Sequence, residues 1–275
     1  MRTLCNFRDL GGIVCAGGHA LPSGLLFRSE APALDASDDI NLLRRLGVRT
    51  FVDLRSPEET PSPLEGLPAS VAYVSAGLRR VGWEDSAVPP DHMARFLAGR
   101  YLMLSEEALG DGKPLGRALA ALMEPSWTGR IVWCAGGKDR TGIVVAIFLH
   151  LLGASYEDIA EDFARSAKAS AELLRRARRN AMARAASTQR RDSAERRRAL
   201  RASVAAFPGG LGALSNPAPP EAITLFLEQL TQRHGGVRRY AERAGLGTAA
   251  VSEIKRAWFG SAAPSSSSTA YSARD

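Results

Sequence analysis

The sequence is poor in cysteine and histidine, and neither is arranged for a metal. Its three cysteines, Cys5, Cys15 and Cys134, form an odd set with no CxxC pair, which argues against a disulfide framework or a cysteine zinc site. The four histidines, His19, His92, His150 and His234, are scattered, and no HExxH pair offers a helical metal site. No metal and no other cofactor is therefore expected. Long apolar runs are also missing: the longest, Ile143 to Leu152, is ten residues interrupted only by His150. That is about half of a membrane span, so it reads as a buried helix, with His150 a core or capping side chain rather than a ligand. The opening MRTLCNFRDLGG lacks the apolar core of a secretory signal, and a reducing cytoplasm is the default expectation.

What is present is ordinary for a globular chain. The 275 residues are 45% hydrophobic and 24% charged, which excludes wholesale disorder and a fibrous repeat. The formal charge of +7 is unevenly spread. From Arg165 to Arg201 there are 13 basic and 3 acidic residues, a local +10, so the rest of the chain carries about −3.

Strand and helix signals alternate along the first 150 residues. Leu25-Leu26-Phe27 after Pro22-Ser23-Gly24 reads as a turn into a strand. Ser37 to Leu46 reads as a helix with Asp38 and Asp39 at its positive end and Gly47 beyond it. Val48 to Leu54 and Val71 to Val74 are strands, with a break at Ser56-Pro57. Val81 to Asp91 is a loop, and Met93 to Leu109 and Leu115 to Met123 are helices. Ile131 to Trp133 is a short apolar strand, and a helix starts near Thr141. The alternation predicts an α/β sandwich with a mostly parallel central sheet flanked by helices. After Gly153 the chain turns helical: Tyr156 to about Ala205, a loop from Phe207 to Pro220, an amphipathic helix from Glu221 to Gln232 and one or two short helices from Ala241 to Trp258. A single domain over 1–260 is expected, with a basic helical lid at about 165–215 and a low-complexity, disordered tail at 261–275.

The chemistry lies in Cys134 to Gly142, CAGGKDRTG, between an apolar strand and an apolar helix. A glycine-containing strand-to-helix turn can aim several backbone N–H groups at one anion, and the helix adds the positive end of its dipole. The backbone from Ala135, Gly136, Gly137 and Lys138 through Asp139 and Arg140 would form that cradle. The planar fork of Arg140 can hold two phosphate oxygens. The same positive field favours a thiolate on Cys134, and a thiolate aimed at bound phosphorus is a nucleophile for phosphoryl transfer. A nucleotide P-loop is rejected, because Asp139 stands where that motif needs Ser or Thr.

These residues resemble the active-site loop of the cysteine-dependent phosphatases: Cys, five residues, Arg, then Ser or Thr. The longer form CxxGKDRTG resembles the bacterial tyrosine-protein phosphatase and atypical lipid phosphatase family in particular. The likeness extends along the chain. Asn6-Phe7-Arg8-Asp9-Leu10-Gly11-Gly12 is similar to the family's opening, Leu26-Phe27-Arg28-Ser29 to its first strand and Val52-Asp53-Leu54-Arg55 to its second. Glu161-Asp162-Phe163 and Gly235-Gly236-Val237 resemble later landmarks. One departure is Trp133, where the family usually has a His that orients the loop and helps set the thiol's ionisation.

The resemblance implies a cysteine-phosphatase fold and metal-independent hydrolysis of phosphomonoesters through a phosphocysteine at Cys134. It also implies broad specificity: phosphotyrosine, phosphoserine/threonine and phosphoinositides. Two carboxylates compete for the role of general acid. Asp139 is favoured because sequence fixes it beside the nucleophile; Asp53, at a strand end and followed by Arg55, is the second candidate. Thr141 would hydrogen-bond the thiolate and help it leave, or simply cap the helix. Lys138 would contact substrate phosphate, or else be a solvated surface lysine. Asp85, in Trp83-Glu84-Asp85, resembles a mobile acid loop only superficially. Arg8, Asp9, Arg28 and Arg55 are expected to brace the loop. The partners implied are phosphorylated proteins or phosphoinositides, with peripheral contact to an anionic membrane through the basic run. Nucleic acid is disfavoured, since that run has no aromatic residues for stacking. Two other readings stand beside this one: a non-catalytic phosphate- or phosphoinositide-binding relative, and a rhodanese-like sulfurtransferase. Intact Cys134 and Arg140 disfavour the first, and the Arg140-Thr141-Gly142 ending disfavours the second.

Overall fold

Ile131, Val132 and Trp133 offer apolar side chains to both faces of one strand, as a strand covered on both sides by packed elements requires. The structure is a computed structural model that describes residues 4–32, 37–60, 67, 70–79, 88–124, 128–187 and 218–260. Five strands, β1 (Arg8–Asp9), β2 (Leu26–Glu30), β3 (Val48–Asp53), β4 (Ala72–Ser75) and β5 (Gly129–Cys134), form one sheet in the order β1-β2-β5-β3-β4. The apolar strand β5 is the central one. It runs parallel to both neighbours, with Cys134 beside Glu30 on β2 and Trp133 beside Asp53 on β3. Strand β4 extends the parallel set, and β1 alone is antiparallel. This two-residue edge strand is too short to give a period-2 signal in the sequence.

Among the described residues there are eight α-helices: α1 (Ser37–Arg45), α2 (Met93–Glu107), α3 (Pro114–Met123), α4 (Asp139–Leu152), α5 (Tyr156–Ser187), α6 (Pro220–His234), α7 (Val237–Arg243) and α8 (Thr248–Phe259). Asp38 and Asp39 open α1 and Arg44 and Arg45 close it, matching charge to the helix dipole. Alternation along β5 sorts the core into two layers. Ile131 and Trp133 face α1 with Phe27, Phe51, Ile40 and Leu43. Val132 and Cys134 face the larger layer, where α4 lies buried beneath the other helices. Helix α4 is apolar around its whole circumference because of this, and Gly153, at φ 87°, ends it.

The α/β architecture and mostly parallel sheet are those expected from the sequence. Three details differ. Helix α4 begins at Asp139 rather than near Thr141, so Asp139 and Arg140 both belong to its first turn. The segment expected as one or two helices from Ala241 begins earlier, at Val237, and is broken at Gly245, whose φ of 101° suits glycine. The strand expected at Val71–Val74 runs one residue later. Helix α5 carries the start of the basic run, but the lid expected at about 165–215 lies outside the described residues from 188 onward. So do the Trp83-Glu84-Asp85 segment, most of the Phe207–Pro220 loop and the tail from 261. Among the described residues no helix is long and apolar enough to cross a membrane.

Candidate active site

In open parallel sheets, ligands bind beyond the carboxyl ends of the strands. Cys134 ends β5 at that edge, and residues 135–138 turn directly into α4. The carbonyls of this turn are all held from behind. Asn6 Nδ2 donates to the oxygens of Gly136 and Gly137 at 3.2 and 2.8 Å. Arg28 Nη2 donates to those of Gly137 and Lys138 at 2.9 and 3.3 Å, and the Ala31 amide donates to that of Ala135 at 3.4 Å. In a trans peptide the C=O and the following N–H point in opposite directions. Pulling four consecutive carbonyls backward therefore turns the amides of Gly136, Gly137, Lys138 and Asp139 forward, as an anion cradle needs. Gly137 sits at φ 64°, and a Cβ there would lie 2.1 Å from the Ser29 oxygen, so only glycine fits against β2.

The braces are themselves braced. Arg28 is fully buried, and its Nη1 meets Asp162 Oδ2 at 2.5 Å. Arg8 Nε meets Asp162 Oδ1 at 2.7 Å, and Arg8 Nη1 donates to Asn6 Oδ1 at 2.5 Å. One carboxylate on α5 thus gathers two guanidinium groups from β1 and β2. Burial would push the Asp162 carboxyl up, but Arg28 and Arg8 outweigh it and hold it below the ordinary 3.8. Asp9 accepts from the Gly11 and Gly24 amides at 2.9 and 2.7 Å, which fixes the approach to β2.

Arg140 reaches across to the segment after β3. Its Nη1 and Nη2 donate to Glu59 Oε2 and Oε1 at 2.5 and 2.9 Å, a two-point grip, and Nη1 also lies 3.3 Å from the Leu54 oxygen. Burial disfavours the Arg140 charge, but Glu59, Cys134 and Asp139 outweigh it and raise its pKa further. Burial likewise works against the Glu59 carboxylate, and Arg140 overrides it, leaving Glu59 below the ordinary 4.5. Glu59 is set by a capping box, in which Ser56 N donates to Glu59 Oε2 at 3.1 Å.

The two candidate acids stand in different surroundings. Asp53 is 1% exposed and saturated. It accepts from the Arg55 amide at 2.9 Å, from Arg55 Nη2 at 2.6 Å and from the Tyr73 hydroxyl at 2.8 Å. Asp139 is partly exposed in the first turn of α4. Its Oδ1 accepts from the Tyr101 hydroxyl at 2.5 Å, and its Oδ2 lies 4.0 Å from Lys138 Nζ. Lys138 is 3% exposed, not the solvated lysine that was one of its two readings; burial lowers its pKa, with Asp139 and Cys134 pulling it back up. Thr141 is buried with its hydroxyl unpartnered among the described residues.

The structure therefore places Cys134, the 135–140 backbone, Lys138, Asp139, Arg140 and Thr141 at the end of β5 and the start of α4, while the Asp53 carboxylate is taken up by Arg55 and Tyr73. Of the four residues expected to brace the loop, Arg28 touches its carbonyls directly and Arg8 holds Asn6, whereas Asp9 meets the Gly11 and Gly24 amides and Arg55 meets Asp53. Sequence reasoning missed Glu59, Tyr101 and the function of Asp162. Each had a signal: the Ser56-x-x-Glu59 capping pattern, a hydroxyl placed inside the Leu97-Tyr101-Leu104 apolar stripe, and a carboxylate in a buried helix face. Among the described residues no group of three or more His, Cys, Asp or Glu could hold a metal ion.

Cys134 thus ends the central strand at a turn whose carbonyls are tied back, with Arg140 clamped to Glu59 in the helix that follows. A family model described as the tyrosine phosphatase family matches residues 1–260, and the chain belongs to that family. It is 32% identical over 183 residues to a Cupriavidus necator protein bearing a tyrosine-protein phosphatase name, covering 62% of this chain and 63% of that protein. It is 28% identical over 193 residues to the triple specificity protein phosphatase PtpB of Mycobacterium tuberculosis, covering 58% of this chain and 66% of that one. The matched region thus spans just under two thirds of the length of each relative.

Proposed function

We propose that the protein hydrolyses phosphomonoesters in two steps through a phosphocysteine at Cys134, without a metal. The observation that carries this reading is the turn itself: four carbonyls tied back by Asn6, Arg28 and Ala31, directly after Cys134 at the end of β5. In the first step the Cys134 thiolate attacks phosphorus, the bond from phosphorus to the ester oxygen breaks, and Asp139 gives that oxygen its proton. The amides of residues 135–140 and the Arg140 guanidinium hold the equatorial oxygens, where transition-state charge is spread. In the second step Asp139 takes a proton from water, the water oxygen bonds to phosphorus, and the thiolate leaves with a hydrogen bond from Thr141.

Asp139 suits the acid role better than Asp53. An acid must be free to offer its proton outward, and Asp53 faces the donors of Arg55 and Tyr73. Lys138, beside the cradle, is read as a contact to substrate phosphate. The substrates proposed are phosphotyrosine, phosphoserine/threonine and phosphoinositides, a breadth supported by the triple specificity name of the Mycobacterium tuberculosis relative and by the basic run from Arg165. The run would let the protein touch an anionic membrane peripherally. A cytoplasmic setting is part of this reading, since an odd set of three cysteines with no CxxC pair gives no disulfide framework.

The test is Cys134→Ser. Turnover of p-nitrophenyl phosphate should fall to below about one per cent of wild type while vanadate still binds, because the cradle and Arg140 remain. Turnover retained above that level refutes the covalent route. Phosphoinositide vesicles test the breadth: changing Arg175, Arg176, Arg178 and Arg179 to Gln should weaken vesicle hydrolysis far more than p-nitrophenyl phosphate hydrolysis. Equal effects, or no vesicle hydrolysis by wild type at low salt, leave the run as a solvated helix face.

A further inference from the structure

We propose that Tyr101 is a positioning residue for Asp139, and that its hydroxyl decides which carboxyl oxygen of Asp139 carries the transferable proton. The inference deepens the proposed function and rests on its reading of Asp139 as the acid.

Tyr101 comes from α2, 33 residues before the cysteine and outside every motif in the sequence. It is 1% exposed. Two rings hold it edge-on: Phe163 of α5, with centroids 6.0 Å apart at 78°, and Phe226 of α6, 6.1 Å apart at 86°. Such contacts fix the ring plane, so the hydroxyl has one place to go, and it donates to Asp139 Oδ1 at 2.5 Å. Burial, reinforced by Asp139 and Cys134, pushes the phenol well above its ordinary value, so it stays protonated and remains a donor.

The consequence falls on the carboxyl group. Oδ1 is committed as an acceptor, so when Asp139 is protonated its hydrogen sits on Oδ2. Oδ2 is also the oxygen within 4.0 Å of Lys138 Nζ, in the turn where substrate phosphate would lie. Without the hydroxyl, a partly exposed Asp at the start of a helix has several staggered rotamers open to it, and only some of them aim the proton at the leaving oxygen. The phenol thus selects both the rotamer and the protonated oxygen without touching substrate.

Tyr101→Phe keeps the ring and removes only the oxygen. Phenyl phosphate needs its leaving group protonated more than p-nitrophenyl phosphate does. The ratio of the two kcat values on one sample is independent of how much of that sample is folded. For Tyr101→Phe, kcat on phenyl phosphate should fall about 10-fold with less than twofold change on p-nitrophenyl phosphate, a part of the roughly 10²–10⁴-fold that general acids supply. In an Asp139→Asn background the same change should have no further effect on the ratio, because the group it acts through is gone. Equal losses on both substrates, or a shift of the ratio that persists in the Asp139→Asn background, overturn the proposal. Asp139→Asn alone separates the two readings. If it does not discriminate between the substrates, the acid assignment falls and this proposal with it. If it does discriminate and Tyr101→Phe does not, only the role of Tyr101 is lost.

Discussion

Asp162→Asn isolates the cost of dismantling the bracing network. The substitution keeps the shape of the side chain but offers one acceptor and one donor where two acceptors stood. Whichever way the amide turns, Arg8 Nε or Arg28 Nη1 meets an N–H instead of an oxygen. Arg8 retains Asn6 and Ser166 and a partly exposed side chain, whereas Arg28 is fully buried and keeps only the neutral carbonyls of Gly137 and Lys138. Removing one partner from a buried pair costs about 3–5 kcal/mol. For a chain of this size that is roughly 6–20 °C in melting temperature. Urea unfolding followed by fluorescence of the buried Trp133 and Trp258 would read the loss directly. The sign with pH is fixed by the carboxyl lying below its ordinary 3.8 in the folded protein. Its contribution is complete above the unfolded value and is lost as pH falls through the lower folded one, so the gap between wild type and variant should be full at neutral pH and shrink below 3.8. Adding Arg28→Met to the variant removes the stranded charge and should recover part of the stability, though not activity, since the turn loses its brace. A loss under about 1 kcal/mol for the single variant, or no recovery in the double, would refute the argument from uncompensated charge.

Three other outcomes follow from the geometry. Glu59→Gln should lower kcat/KM on p-nitrophenyl phosphate about 10–100-fold, or about 1.4–2.7 kcal/mol, because Arg140 loses the charged two-point grip that aims it; a change within twofold would deny Glu59 that part. Gly137→Ala should abolish activity and lower the melting temperature, since its Cβ meets the Ser29 oxygen at 2.1 Å, while Gly18→Ala, also at positive φ but with open space around it, should cost only about 1 kcal/mol. Equal effects at the two glycines would contradict the steric reading. Activity should persist in EDTA but be lost to peroxide and recovered with a thiol reductant, as the proposed metal-free route through Cys134 requires; chelator sensitivity would count directly against it.

The turn was legible because its chemistry is contiguous. CAGGKDRTG places thiol, glycines and guanidinium within nine residues, and the flanking apolar segments announce a strand and a helix. Of the residues that hold it in shape, Arg8 and Arg28 were legible as braces, but the parts of Asn6, Glu59, Tyr101 and Asp162 were not, because these lie between 28 and 128 residues from Cys134. Periodicity says which face of an element is buried, but not which distant group a buried polar atom will meet. Asp53 shows the limit well. A carboxylate at a strand end beside an arginine fits an acid or an anchor equally, and only the Tyr73 hydroxyl, arriving from the neighbouring strand, fills its remaining acceptor capacity. Lys138 shows the converse: its sequence leaves a phosphate contact and a solvated side chain both open, and only the elements packed over it remove the second.

Trp133 ties these observations together. Side chains alternate along a strand, so the residue before Cys134 points to the opposite face of the sheet from the thiol. There the indole packs edge-on against Phe51, centroids 5.5 Å apart, and lies 6.3 Å from Tyr73. Its Nε1 has no partner among the described residues, so what it supplies is contact surface rather than a hydrogen bond. That surface supports Tyr73, whose hydroxyl holds Asp53, which in turn holds Arg55 at the head of the segment carrying Glu59. The Trp133 backbone takes part as well, its carbonyl accepting from Leu54 while the Leu54 carbonyl accepts from Arg140. Next to Cys134 this chain thus places a packing residue, and contacts on the far face of the sheet run from Trp133 through Tyr73 and Asp53 to Arg55, four residues before the Glu59 that grips Arg140.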